Sequence, residues 1–168
     1  LTALRKGTFT TGLLKLVASP LMAGIFSLYT HGLQSWVAYL NIIMIAASSN
    51  AFNLLDLRPG RSQGFAVITL LMLLPFVPLP VALGSILVLL ITIIPDARAK
   101  VMMGDSGAIA IGPGVALVVI ASSNILLAVA YTVAAVTLNV VAEKVSLTKL
   151  ISQNIVLNKI DSLLGRRS

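Results

Sequence analysis

Long apolar runs separated by short charged segments make up most of this chain. A charged side chain at the centre of a bilayer costs roughly 2.5–3.5 kcal/mol, so gaps between charges mark candidate membrane spans. A helix that crosses the hydrocarbon core needs about 20 predominantly apolar residues. The pattern predicts six spans, at residues 10–29, 33–52, 64–76, 81–94, 106–122 and 124–141.

The two shortest predicted spans share residues 64–94. Pro75, Pro78 and Pro80 lie between them and favour a turn, which would make the two spans a helical hairpin. The alternative is one tilted span with a proline kink. That alternative would move Arg98, Lys100 and Asp105 to the opposite side of the membrane.

The pattern changes after the sixth predicted span. In residues 145–165, leucines and isoleucines recur at helical spacing among lysines and arginines. This pattern predicts an interfacial amphipathic helix whose basic side chains lie near lipid headgroups. With no linker or repeat in the chain, residues 1–168 are predicted to form one all-α domain, a polytopic transmembrane bundle of about six spans.

Composition agrees with a membrane environment. Of the 168 residues, 58% are hydrophobic and 10% are charged, against about 45–50% and 25% in soluble domains. The net charge of +7 would suit nucleic acid, but the basic residues interrupt apolar runs and form no continuous patch. We therefore predict a membrane-lipid surface and no nucleic-acid partner. The absence of cysteine excludes disulfides and thiolate metal sites.

Charge also predicts orientation. With six spans, every segment that carries Lys, Arg, Asp or Glu falls on the same side, and the turns on the other side carry none. The positive-inside rule assigns the charged side to the cytoplasm. The expected location is the cell membrane, with any chemistry on the cytoplasmic face.

The first candidate site lies in residues 50–56. Asn50, Asn53 and Asp56 recur every three residues at the end of a predicted span, a spacing that puts them on one helical face. Such a face could bind a polar ligand. Equally, small polar residues link helices in membranes, and Asp56 could be an interfacial charge paired with Arg58.

The second candidate is Asp105, which lies between glycines where a loop enters an apolar helix. Glycines permit close backbone approach, and Mg²⁺ prefers one or two carboxylates together with substrate phosphate oxygens. The alternative is that Asp105 caps the helix N-terminus.

Two further features stand inside predicted spans. Lys15 lies about one turn within the first span, where a lysine either extends to the headgroups or faces a polar cavity. Residues 112–114, Gly-Pro-Gly, predict a bend in the fifth span. Bent or broken helices also occur in transporters.

At these positions the sequence resembles the polyprenyl-phosphate N-acetylhexosamine-1-phosphate transferases, the family of phospho-N-acetylmuramoyl-pentapeptide transferase and undecaprenyl-phosphate GlcNAc-1-phosphate transferase. Three matches occur in the family's order: Thr-Thr-Gly-Leu-Leu-Lys at 10–15, Asn-Ala-Phe-Asn-Leu-Leu-Asp at 50–56 and Met-Gly-Asp-Ser-Gly-Ala at 103–108. The resemblance covers nearly the whole chain.

The resemblance implies transfer of a sugar-1-phosphate from a UDP-N-acetylhexosamine to polyprenyl (undecaprenyl) phosphate, with release of UMP, in cell-envelope synthesis. It makes Asp105 the metal-binding catalytic aspartate for Mg²⁺ and Lys15 a catalytic lysine near the phosphates. Asn50, Asn53, Asp56 and Arg58 would bind substrate. A homodimer is left open.

The sequence departs from the family pattern at three points. Pro59 stands where many members carry a second aspartate, and the histidine-rich loop of major branches has no counterpart around residues 143–147. The family's paired aspartates belong upstream of residue 10, so the chain is expected to be a fragment that is inactive alone. The alternatives are a non-catalytic relative that binds polyprenyl phosphate or scaffolds other enzymes, and a small-solute transporter.

Overall fold

The computed structural model describes residues 21, 24–25, 35–56, 60–97, 104–145, 151–155 and 159. All regular structure in these residues is helical, which confirms the all-α fold class. In chain order the helices are α1 (Trp36–Leu55), α2 (Arg61–Leu73), α3 (Leu79–Ala97), α4 (Gly104–Ala121) and α5 (Ile125–Lys144). The predicted span 10–29 and most of the predicted amphipathic segment 145–165 lie outside the described residues.

Three of these helices are long and apolar enough to cross a membrane: Trp36–Leu55, Leu79–Asp96 and Ile125–Ala142. The apolar stretches Arg61–Phe76 and Gly107–Ala121 are shorter. Length and composition therefore indicate a membrane protein, and the count of six spans stays a prediction.

The outer surface of α3 is apolar along most of its length. Leu87, Val88 and Ile91 are exposed to 60%, 62% and 65%. A soluble protein rarely leaves such a continuous apolar face uncovered. A lipid environment accounts for it, because acyl chains are as apolar as these side chains.

The segment between α2 and α3 forms a turn. A 3₁₀ turn follows α2 at Leu74–Phe76, and Val77 is extended, with φ −123° and ψ 159°. At the far ends of the two helices, the Gly60 N–H donates to the Asp96 carboxylate at 2.7 Å. The N-terminus of α2 therefore meets the C-terminal end of α3. The predicted hairpin is confirmed, and the alternative of one kinked span is wrong.

Helix α1 lies at the centre of the bundle and packs mainly against α4 and α5. Its Met44, Ile45 and Phe52 side chains are buried in the main core. Across from them, α2 contributes Leu70 and α4 contributes Val118. The same helix thus buries one face against α4 and another against α5.

The closest approach in the bundle is between α1 and α4 at Gly112. A Cβ atom on Gly112 would lie 2.4 Å from the Ser48 carbonyl oxygen and 2.5 Å from the Ser49 nitrogen. The Ser48 hydroxyl donates to the Gly112 carbonyl at 2.8 Å. It is also 2.6 Å from the Tyr131 hydroxyl of α5. Only glycine fits at this contact, and it is the small-residue packing typical of membrane helices.

Pro113 follows this contact and lies inside an unbroken α4. Proline has no N–H, so the Ile109 carbonyl one turn earlier loses its usual helical donor. The Ser49 hydroxyl of α1 donates to that carbonyl at 3.1 Å. A side chain of the neighbouring helix therefore satisfies the backbone group that proline frees. Helix α4 is continuous here, and the predicted bend stays a prediction.

This compensation predicts a coupling between Ser49 and Pro113. We expect Ser49→Ala to lower the free energy of unfolding by roughly 0.6–1.7 kcal/mol, as for other interhelical hydrogen bonds. In a Pro113→Ala background the loss should be smaller, because the substituted alanine supplies a backbone N–H to the Ile109 carbonyl. A double-mutant cycle of detergent unfolding measures the difference. Equal losses of unfolding free energy in both backgrounds would contradict the proposed compensation of Pro113 by the Ser49 hydroxyl.

Two charged residues outside the predicted spans lie within helices. Helix α2 begins at Arg61, where residue 64 was predicted, and α3 continues past Pro95 and Asp96, where residue 94 was predicted. Arg61 is 1% exposed and Asp96 is 5% exposed. Asp96 accepts a hydrogen bond from the Gly60 N–H, so a backbone donor stabilises this buried carboxylate.

Candidate functional site

The predicted polar face of residues 50–56 divides into two parts. The Asn50 Nδ2 donates to Oδ1 of Asn139 on α5 at 2.5 Å. The Asn139 Nδ2 in turn lies 2.8 Å from the carbonyl oxygens of Ala47 and Ala135. Asn50 therefore links α1 to α5, which is the alternative that its spacing left open.

Asn53 and Asp56 occupy the end of α1. Asn53 is in the last turn, and Asp56 follows the helix as its C-cap, with φ −78° and ψ 45°. The Asp56 N–H donates to the Asn53 carbonyl at 3.2 Å. Both residues are half-buried, so a ligand at this end of the bundle can reach them.

Asp105 is the second residue of α4. Its backbone belongs to the first helical turn, whose N–H groups have no partner within the helix and attract anions. The Asp105 side chain lies outside the described part of the chain, as do Lys15 and Arg58. Their predicted roles in catalysis and substrate binding stay predictions.

The contacts between α1 and α4 bring Asp105 to the level of the predicted polar face. Ser48 meets Gly112 and Ser49 meets Ile109, so the two helices run antiparallel. With about 1.5 Å of rise per residue, Asp105 lies ~6 Å beyond the Ser49 contact, at the level of Asn53. Asp56 lies ~10 Å beyond it in the same direction. The two predicted motifs therefore lie at the same end of the bundle.

The same end contains a buried polar group that the sequence reasoning missed. Arg61, Ser62 and Gln63, in the first turn of α2, are each exposed by 1% or less. The Ser62 hydroxyl donates to the Phe52 carbonyl of α1 at 3.2 Å, which fixes this turn beside the end of α1. We call Arg61, Ser62, Gln63 and Asp96 the buried polar cluster.

Gly60 joins the buried polar cluster to the backbone. It has φ 76°, a left-handed conformation that favours glycine, and it is the N-cap of α2. Its N–H donates to Asp96, so a carboxylate lies at the positive end of a helix, where it is stabilised. The sequence signal for this cluster was a charged residue within three residues of the outer end of each of the predicted spans 64–76 and 81–94.

The donor set at this end suits a divalent cation held jointly with phosphate. In the described ranges, no three His, Cys, Asp or Glu residues form a group that could hold a metal. Mg²⁺ sites commonly need fewer protein ligands, because substrate phosphates and water complete the coordination. Asp56 is a half-buried carboxylate at this end of the bundle, and the backbone of Asp105 lies in the first turn of α4 at the same end.

Comparisons with known proteins gave no match. No protein-family model, curated protein or solved structure matches this chain. The interpretation of the site therefore rests on its chemistry. A half-buried carboxylate and a helix N-terminus at one end of an apolar bundle suit a divalent cation held together with an anionic ligand at a membrane surface.

Proposed function

We propose that this chain is part of a polyprenyl-phosphate N-acetylhexosamine-1-phosphate transferase. One observation carries the proposal: Asp56 at the end of α1 and the first turn of α4, which contains Asp105, lie at the same end of the bundle. These are two of the three segments in which the sequence resembles the family. A shared nucleotide-sugar site requires both segments at one end of the bundle.

The proposed reaction exchanges one phosphoanhydride bond for another. An oxygen of polyprenyl phosphate attacks the β-phosphorus of the UDP-N-acetylhexosamine and forms a new P–O bond. The bond between the β-phosphorus and the bridging oxygen breaks, and UMP leaves with its electron pair. The products are a polyprenyl diphosphate sugar and UMP, so no oxidant or further reactant is needed.

The chain's own residues would bind and orient the two phosphorylated substrates. Asn53 and Asp56 would contact the nucleotide side, where they are half-buried at the end of α1. Arg58 and Lys15 would neutralise phosphate oxygens. The free N–H groups that begin α4 would favour an anion beside Asp105. Asn50 has a weaker case for substrate contact, because its amide bonds to Asn139.

Asp105 is the residue that would hold Mg²⁺. The cation would supply charge neutralisation on the diphosphate, where negative charge builds up during phosphoryl transfer.

The proposed location is the cell membrane, with several spans and the site at the cytoplasmic face. The helix ends support the predicted orientation in one respect. The ends of α1 and α3 and the starts of α2 and α4 lie on one side of the bundle. The positive-inside rule assigns that side to the cytoplasm because it carries the basic segments.

Single cysteines test this orientation, because none of the 168 residues is cysteine. Val145 follows α5 at the charged end, and Phe76 lies in the α2–α3 turn at the opposite end; both are exposed. We expect a membrane-impermeant maleimide to label Phe76→Cys in intact cells and Val145→Cys only after permeabilisation. Labelling of both in intact cells would contradict the proposed orientation.

Proteoliposomes containing the full-length protein distinguish the proposal from its alternatives. A transferase releases UMP only when UDP-N-acetylhexosamine, polyprenyl phosphate and Mg²⁺ are all present. A lipid-binding or scaffolding relative retains polyprenyl phosphate without UMP release. A transporter takes up solute without nucleotide release. We expect the first result, and either of the others would overturn the proposal.

A further inference from the structure

A cavity lies at the end of the bundle opposite Asp56. It has a volume of about 340 Å³ and lies between the start of α1, the end of α4 and the start of α5. This size is within the range of about 300–1,000 Å³ for small-molecule sites. Six of its lining residues are apolar: Trp36, Val37, Val119, Ile120, Ile125 and Ala128.

Asn41 is the unexpected residue in this cavity wall. It is 3% exposed, and its Nδ2 has no hydrogen-bond partner in the described residues. A buried amide donor without an acceptor is unfavourable, and buried polar groups are nearly always paired. An occupant that supplies one acceptor would remove this penalty.

The position of Asn41 argues against water as that acceptor. The antiparallel register that sets Ser48 beside Gly112 puts Asn41 level with Val119. The polar lining residues Ser123 and Asn124 lie in the α4–α5 turn, about one helical turn nearer the rim. A buried water needs two to four polar partners, and apart from Asn41, Ser123 and Asn124 the residues that line the cavity are apolar.

We propose that this cavity binds one chain of an ester-linked membrane lipid, with its carbonyl oxygen accepting from the Asn41 amide. Val119, level with Asn41, and Ala128, one turn inside the start of α5, would contact the acyl chain. Trp36, 62% exposed at the rim, is an aromatic of the type that lies at headgroup level. The lipid comes from the leaflet opposite the proposed transferase site, and its binding is independent of that activity.

Two lipids that differ in their ester carbonyls test the hydrogen bond from the Asn41 amide. Diacyl phosphatidylcholine has ester carbonyls, and its dialkyl ether analogue has the same headgroup and chain length without them. A zwitterionic headgroup avoids the non-specific attraction of anionic lipid to a chain of net charge +7. Native mass spectrometry of the full-length protein in detergent then gives the affinity for each lipid.

We expect the wild type to bind the diacyl lipid roughly fivefold to tenfold more tightly than the diether, as one neutral hydrogen bond allows. Asn41→Leu keeps the volume and removes the donor, so it should bind both lipids equally. Ala128→Phe fills the cavity and should bind neither at the site. Ala130→Phe is the matched control, because Ala130 is exposed on α5 outside the cavity.

Two results would overturn the inference. One is equal binding of the diacyl and diether lipids by the wild type, which would leave the amide without a role. The other is an ester preference that survives in Asn41→Leu. The lipid preference of Asn41→Leu tests the hydrogen bond even if Ala128→Phe does not fold. Neither measurement involves a nucleotide, so the result is separate from any result on UMP release.

Discussion

Asp105→Asn is expected to lower UMP release by roughly 10³-fold or more, equivalent to ~4 kcal/mol of transition-state stabilisation. Asparagine keeps the size and shape of aspartate but removes the negative charge that would hold Mg²⁺. Because the substitution lies in the first turn of α4, it leaves the apolar packing of that helix intact. The expected phenotype is a folded, inactive protein.

The control for this prediction is Glu143→Gln, the same change of charge in the last turn of α5. We expect its rate to stay within about twofold of wild type, because nothing assigns this residue to the site. Initial rates of UMP release across a range of Mg²⁺ concentrations compare the two variants. If Asp105→Asn keeps a tenth of wild-type activity with an unchanged Mg²⁺ dependence, Asp105 is not the metal ligand.

Gly112→Ala is expected to destabilise the bundle by roughly 3 kcal/mol or more. The new Cβ would lie 2.4 Å from the Ser48 oxygen and 2.5 Å from both the Ser48 carbon and the Ser49 nitrogen. All three are backbone atoms of α1, so no rotamer change can relieve the overlap. The helices would have to separate, which lengthens the Ser48–Gly112 and Ser49–Ile109 hydrogen bonds.

Gly114→Ala is a control in the same helix. A Cβ on Gly114 meets nothing within 4 Å, and alanine favours helix over glycine by roughly 0.5–1 kcal/mol. We therefore expect no loss and a small gain in stability. Unfolding in detergent monitored by circular dichroism separates the two variants. Equal destabilisation by both would mean that the close α1–α4 contact does not exist in solution.

The Gly112 contact also bears on the proposed function. It sets the register that brings the first turn of α4 level with Asn53 on α1. A variant that separates the helices moves Asp105 away from Asp56. Loss of UMP release in Gly112→Ala should therefore accompany loss of stability, whereas Asp105→Asn should lose activity alone.

Much of the fold could be predicted from the positions of charges and prolines. The gaps between charged segments located α1, α4 and α5 to within about three residues, because a charge rarely enters the apolar part of a span. The prolines between α2 and α3 correctly indicated a hairpin. The burial of Arg61 and Asp96 was not predicted, because the positions of charges along the chain do not show which of them become buried.

The candidate site was less predictable, because contacts between helices depend on their register. Spacing alone left Asn50 as either a substrate ligand or a link between helices, and only the position of Asn139 decides that its amide bonds to α5. The hydrogen bond from the Ser49 hydroxyl to the Ile109 carbonyl could not be predicted for the same reason. Residues 89 and 60 positions apart, respectively, meet only after folding.

The fate of the β-phosphate tests the proposed reaction most directly. The full-length protein would be incubated with polyprenyl phosphate, Mg²⁺ and a UDP-N-acetylhexosamine labelled with ³²P at the β-phosphate. The account predicts that the label enters the lipid fraction in a one-to-one ratio with released UMP. Release of labelled UDP, with an unlabelled glycolipid or none, would contradict sugar-1-phosphate transfer.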